Sequence, residues 1–214
     1  MNRVLVLSPH PDDESLGCGG TLRKHVVEGD SVQVIFLTSG ERGGHGRSPD
    51  ETRQIREKEA ENAAGILGYE SFEFWQEPNG KLRLTNHIVN RLKLKLTDWK
   101  PHIIYVTHDK EMHPEHRIAA RLVRRVMANN PSLELIPCVL MYEVWTPLQR
   151  IDHIVDISPY IDVKRAAIRA HITQCEVMDF EEAFIGLNRY RGAMHSWPGG
   201  DYAEVFKETN LRAK

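Results

Sequence analysis

Cysteine is scarce in this chain. Cys18, Cys138 and Cys175 are too few and too scattered for a disulfide framework or a thiolate zinc site. Long apolar runs are missing too. The run 4–7 behind Met1-Asn2-Arg3 stops at Ser8-Pro9, short of a signal-peptide core, and nothing approaches the ~20 residues of a membrane span. The expectation is a cytoplasmic protein without a membrane span. Charge of one sign is lacking as well: 28 Lys+Arg face 30 Asp+Glu, a formal net charge of −2. With no basic excess, nucleic acid and anionic membranes are poor partners. Repeats, low-complexity tracts and linkers are also absent. The 214 residues, 41% hydrophobic and 27% charged, therefore predict one globular domain spanning 1–214. Within it, a core of about 1–130 precedes a C-terminal elaboration of about 131–214. Self-association is left open.

What is present alternates. Residues 4–7, 31–38 and 103–106 are short continuous apolar runs, as in strands buried on both faces, with 72–75 a weaker one. Between and after them, 14–27, 50–67, 85–99 and 114–129 carry apolar residues at helical spacing, the first two ending at Gly29 and Gly68. A strand over 135–141, another around 153–157 and a helix over 161–178 follow; the tail from Phe180 is mixed. This pattern predicts an α/β fold, a Rossmann-like, mostly parallel sheet with helices on both faces.

Histidine is abundant, with 11 in the chain. In open α/β sheets, ligands bind beyond the carboxyl ends of the strands, where strand order reverses. If the first strand lies beside 103–106, two loops meet there: His10-Pro11-Asp12-Asp13-Glu14, and 107–116 ending in His113-Pro114-Glu115-His116. Each is also a good helix start, with acidic residues and a proline in the first turn. Three adjacent carboxylates nevertheless repel one another, and a bound cation removes that repulsion. Two imidazoles and a carboxylate make a catalytic zinc site with an open position for water, whose pKa then falls to about 7. His10, Asp13 and His116 supply that set. Asp12 is then free as general base, and His113 as an imidazolium to stabilise an oxyanion or protonate a leaving amine. The same donors also suit ferrous iron, one ion per chain in either case.

The segment Ser8-Pro9-His10-Pro11-Asp12-Asp13-Glu14, with Gly17, Gly19-Gly20 and Thr21, resembles the signature of the PIG-L/LmbE-like family of zinc-dependent N-deacetylases. His113-Pro114-Glu115-His116 resembles that family's His-Pro-Asp-His. The likeness continues through Thr38-Ser39-Gly40-Glu41, Arg56-x-x-Glu59-Ala60, Tyr142-Glu143-Val144-Trp145, Ala170-His171-x-x-Gln174 and Gly186-Leu187-Asn188-Arg189-Tyr190. It implies a Rossmann-like fold and N-deacetylation of an N-acetylglucosamine-like sugar or conjugate. By position it implies His10, Asp13 and His116 as metal ligands, Asp12 as base, His113 as electrostatic partner and Arg56 as a sugar contact. Glu115 and Glu111 depart from the family's usual Asp, keeping the charge and lengthening the arm.

Three rival functions are weaker. A nucleotide-binding module is suggested by Gly17-x-Gly19-Gly20 after a strand, with Glu41 as a ribose-binding acid. Position 22 is Leu, however, and Asp12, Asp13 and Glu14 would face the pyrophosphate. A metal-dependent phosphoesterase commonly holds two metals with more bridging carboxylates. A catalytically dead scaffold has no use for both Asp12 and His113. Of the remaining residues, Trp145 and Trp197 are expected to pack in the core, Cys18 to pack within its helix, and His45 to be exposed. His171 and Gln174 are expected to share a helical face without a role beyond shape.

Overall fold

A computed structural model describes residues 1–128, 137–195, 198 and 200–209. One seven-stranded sheet has the order β3-β2-β1-β4-β5-β7-β6. Its parallel strands are β1 (Arg3–Ser8), β2 (Ser31–Phe36), β3 (Ser71–Phe74), β4 (Ile103–Thr107) and β5 (Cys138–Tyr142). The helices between them are α1 (Asp13–Val27), α2 (Pro49–Leu67), α3 (Asn86–Trp99) and α4 (Pro114–Ala128). Each follows a strand, so the sheet is parallel here and covered on both faces. Side chains alternate along β1. Val4 and Val6 join the core beneath α1 and α2, whereas Leu5 and Leu7 join the one beneath α3 and α4.

β1 lies beside β4, Val4 pairing with Ile103 through Leu7 with Val106. The chain leaves β1 for β2 on one side and arrives at β4 on the other. The loops after β1 and β4 therefore meet at the strand-order reversal, as the sequence pattern requires.

The C-terminal third differs from expectation. β6 (His153–Asp156) is followed by α5 (Ile161–Ala170), and the expected single helix over 161–178 breaks at His171, whose φ of −84° and ψ of 61° leave the helical region. A short α6 (Ile172–Cys175) follows. The mixed tail contains α7 (Phe180–Met194) and β7 (Ala203–Glu208), which runs antiparallel between β5 and β6. The end of the helix expected to reach Asn129, the start of the strand expected at Leu135, and Trp197 lie outside the described residues.

This third supports the first helix. α1 is interrupted at Cys18 (φ −144°, ψ 16°), which exposes backbone groups a continuous helix would pair. Lys164 of α5 donates to Leu16 O at 2.8 Å. Glu204 of β7 accepts from Gly20 N (3.0 Å), Thr21 N (2.7 Å) and Lys164 Nζ (2.7 Å). Lys164 and Glu204 are fully buried, so the pair is tolerable only because each charge also meets backbone partners. Among the described residues no helix is long and apolar enough to cross a membrane.

Candidate active site

The loop after β1 turns sharply. Ser8 Oγ donates to His10 O at 2.7 Å, and Asp12 adopts φ 148°, ψ −32°, a backbone region that L-residues rarely occupy. Such strain persists only where contacts over-determine it. Here Asp12 O accepts from Leu16 N at 2.9 Å. Arg56 of α2 clamps the same turn, donating from Nη2 to Pro11 O and to Asp12 Oδ2, both at 2.8 Å, and from Nη1 to Gly40 O at 3.1 Å. Arg56 Nε is buried without a hydrogen-bond partner. Glu14 accepts from Ser15 Oγ at 2.7 Å, Ser8 Oγ at 3.4 Å and Asp12 N at 3.3 Å.

Three donor atoms converge beneath Asp12. Asp13 Oδ2 lies 3.0 Å from His10 Nδ1 and 3.2 Å from His116 Nε2, and those two nitrogens are 3.3 Å apart. Tetrahedral zinc with bonds of about 2.0–2.1 Å separates its donors by about 3.3 Å, so the triangle fits such an ion. A His113 nitrogen also lies within 4.8 Å of nitrogens of His10 and His116. Asp13 is the tighter third donor, and His113 Nδ1 is already engaged, accepting from Glu115 N at 3.3 Å.

Further groups orient the donors. His10 Nε2 meets Glu115 Oε2 at 2.9 Å, which turns Nδ1 towards Asp13. Glu115 also accepts from Asn79 Nδ2 (2.8 Å), Gly80 N (2.8 Å) and Leu82 N (3.0 Å), tying the loop before α3 to the cluster. Glu111, fully buried, accepts from the backbone N–H groups of Val144 (2.7 Å), Trp145 (3.2 Å) and Thr146 (3.2 Å), with one oxygen 3.8 Å from His116 Nδ1.

Burial lowers the His10 pKa, but Asp13 and Glu115 outweigh it and lift the ring to about 9. Burial pushes Asp12 up to about 6 against the pull of Arg56. Asp13 is raised by burial, yet the His116 and His10 rings hold it well below the carboxylate range. His113 is depressed to about 4 by burial, then by His10 and His116. With Nδ1 accepting from Glu115 N, a neutral His113 ring would carry its proton on Nε2.

His10, Asp12, Asp13, Arg56 and His113 line one cavity of about 390 Å³, with His116 buried behind them. The structure thus brings together His10, Asp12, Asp13, Arg56, His113 and His116. Trp145 is not core as expected: it is 38% exposed, lines the cavity and meets Phe180 edge-on at 5.7 Å. Gln174 lines it too and donates to Gly43 O at 3.2 Å. His45 is exposed and Cys18 buried, as expected. Glu41 accepts from Asn79 N at 2.8 Å, which removes it from the ribose-binding role considered above. Sequence reasoning missed Asn79 and Arg42 in the lining; Pro78-Asn79-Gly80 signals only a turn.

The donor triangle, with a carboxylate beside it, thus sits at the strand-order reversal of a Rossmann-like sheet, where this class of fold binds its ligands. Residues 5–127 match the family model described as PIG-L, GlcNAc-PI de-N-acetylase, and the chain belongs to that family. It is 28% identical to the diacetylchitobiose deacetylase of Thermococcus kodakarensis, over 95% of this chain and 82% of that one. It is 26% identical to the probable N-acetyl-alpha-D-glucosaminyl L-malate deacetylase 2 of Bacillus cereus, over 91% and 93%. Among solved structures, GalB, the 4-carboxy-2-hydroxymuconate hydratase of Pseudomonas putida, superposes with a TM-score of 0.87 at 25% identity, covering 100% of this chain and 98% of that one.

Proposed function

We propose that this protein is a divalent-metal-dependent N-deacetylase acting on an N-acetylglucosamine-like sugar or conjugate. The observation that carries the reading is the convergence of His10 Nδ1, Asp13 Oδ2 and His116 Nε2, 3.0–3.3 Å apart, at the base of a cavity that Asp12 also lines. A zinc or ferrous ion held there supplies positive charge that lowers the pKa of water towards about 7 and polarises the acetamide oxygen.

The chain's own residues do the rest. Asp12, oriented by Arg56, takes the proton of the attacking water and later returns it to the departing amine. His113 presents its Nε2–H to the oxyanion that develops on the acetamide carbon. Arg56 acts first on Asp12, and it lines the same cavity, where the family resemblance implies a sugar contact. Glu115 holds His10 in the orientation that keeps Nδ1 on the donor triangle.

The test is amine release from a panel of N-acetylglucosamine conjugates, with and without chelator. Chelator-sensitive release from any member supports the reading; a panel with no release, despite bound metal, contradicts it. The likeness to GalB favours one second reading, addition of water to an unsaturated carboxylate at the same site. Loss of the ultraviolet absorbance of a conjugated dienoate, without amine release, would select it.

A further inference from the structure

Two arginines line the cavity in different circumstances. Arg56 is buried and neutralised by Asp12. Arg42 is exposed, and among the described residues its guanidinium donates no hydrogen bond and enters no ion pair. The acids around it are already engaged. Asp12 pairs with Arg56, Asp13 with His10 and His116, and Glu115 with His10. Glu41, its neighbour in sequence, accepts instead from Asn79 N.

Arg42 is nevertheless held in place. Its backbone N–H donates to Asn79 Oδ1 at 3.1 Å. Its side chain lies across Gly80, whose φ of +78° suits glycine and where a Cβ would collide with the Arg42 Nη1 and Cδ atoms. Gly80 N in turn donates to Glu115 at 2.8 Å, the residue that orients His10. The cation therefore stands on a platform tied to the donor triangle, and its planar fork suits a carboxylate or phosphate.

Building on the deacetylase reading, we propose that Arg42 is a specificity-determining residue. The substrate is an acetamido-sugar conjugate bearing a carboxylate or phosphate that docks on Arg42 while its acetamide faces the donor triangle. Pre-positioning lowers the cost of fixing the guanidinium on binding.

The experiment compares kcat/KM for phenyl, 4-carboxyphenyl and 4-phosphophenyl N-acetylglucosaminides, in both anomers, for wild type, Arg42→Ala, Arg42→Lys and Arg42→Glu. The readout is the anionic-to-neutral ratio. The proposed cation site itself attracts carboxylates, so dependence of the ratio on residue 42 decides. Arg42→Ala should lower it about tenfold, the scale of one charge-assisted hydrogen bond. Arg42→Glu should lower it further, and Arg42→Lys should retain part of it. Raising salt from about 0.01 M to 1 M should compress the wild-type ratio, because the Debye length falls from about 30 Å to 3 Å. The two anionic arms separate carboxylate from phosphate preference.

A ratio unmoved by Arg42→Ala and Arg42→Glu, with conjugates still hydrolysed, would overturn the proposal and leave the deacetylase intact. If no conjugate releases amine, the deacetylase reading fails, and calorimetric binding of the same compounds still tests Arg42. Tighter binding of the anionic members that vanishes in Arg42→Ala upholds the anion site; equal binding overturns it.

Discussion

Among the described residues, two clusters have the composition of a metal site: His10 with Asp13, His113 and His116, and His25 with Glu28 and Asp30. In the second, each side chain already has a protein partner. His25 Nδ1 meets Asp30 Oδ2 at 2.8 Å and its Nε2 meets the Tyr105 hydroxyl at 3.0 Å. Asp30 also accepts from Asn2 N (2.5 Å) and Asn2 Nδ2 (3.2 Å), while Glu28 pairs with Lys24. In the first, Asp13 Oδ2, His10 Nδ1 and His116 Nε2 point at one another, with only the His10 N–H added on Asp13 Oδ2; Glu115 fixes the far side of His10, and His116 Nδ1 has no hydrogen-bond partner. Residue type is common to both clusters; convergence of unsatisfied donors is not.

Substitutions at the two clusters test that contrast. His116→Ala removes one corner of the triangle, and we expect loss of bound metal and a fall of activity to background, read by metal analysis and amine release. Asp12→Asn leaves the corners in place; it should retain metal while kcat falls about 10²- to 10⁴-fold, the range of general acid–base catalysis. Glu115→Gln weakens the group behind His10 and should reduce metal affinity about 10- to 100-fold in chelator competition. His25→Ala should leave metal content unchanged and cost about 1 kcal/mol of stability in urea unfolding, the scale of a partly buried hydrogen bond.

The clusters also mark what the sequence makes legible. His10, Asp12 and Asp13 stand within four positions just after a strand whose residues 4–7 are all apolar, and His113 and His116 stand at and in the first turn of a helix after another. Neighbourhood in sequence and the rule about strand ends suffice to bring them together. The Arg56–Asp12, Glu115–Asn79 and Lys164–Glu204 contacts join elements distant in the chain, with no local signal. β7 escaped detection for a related reason: Glu204 interrupts the apolar pattern of Ala203–Glu208, and the partners that make that buried carboxylate acceptable, Lys164 and the backbone N–H groups of Gly20 and Thr21, come from other elements. The break in α1 is hidden likewise, because the groups that serve it come from α5 and β7.

The most direct test of the central claim is the metal content of the purified wild-type protein, His25→Ala and His116→Ala, side by side. The account predicts about one zinc or iron per chain in the wild type and in His25→Ala, and none in His116→Ala. Metal retained by His116→Ala but lost from His25→Ala, or absent from all three after purification without chelator, would contradict it.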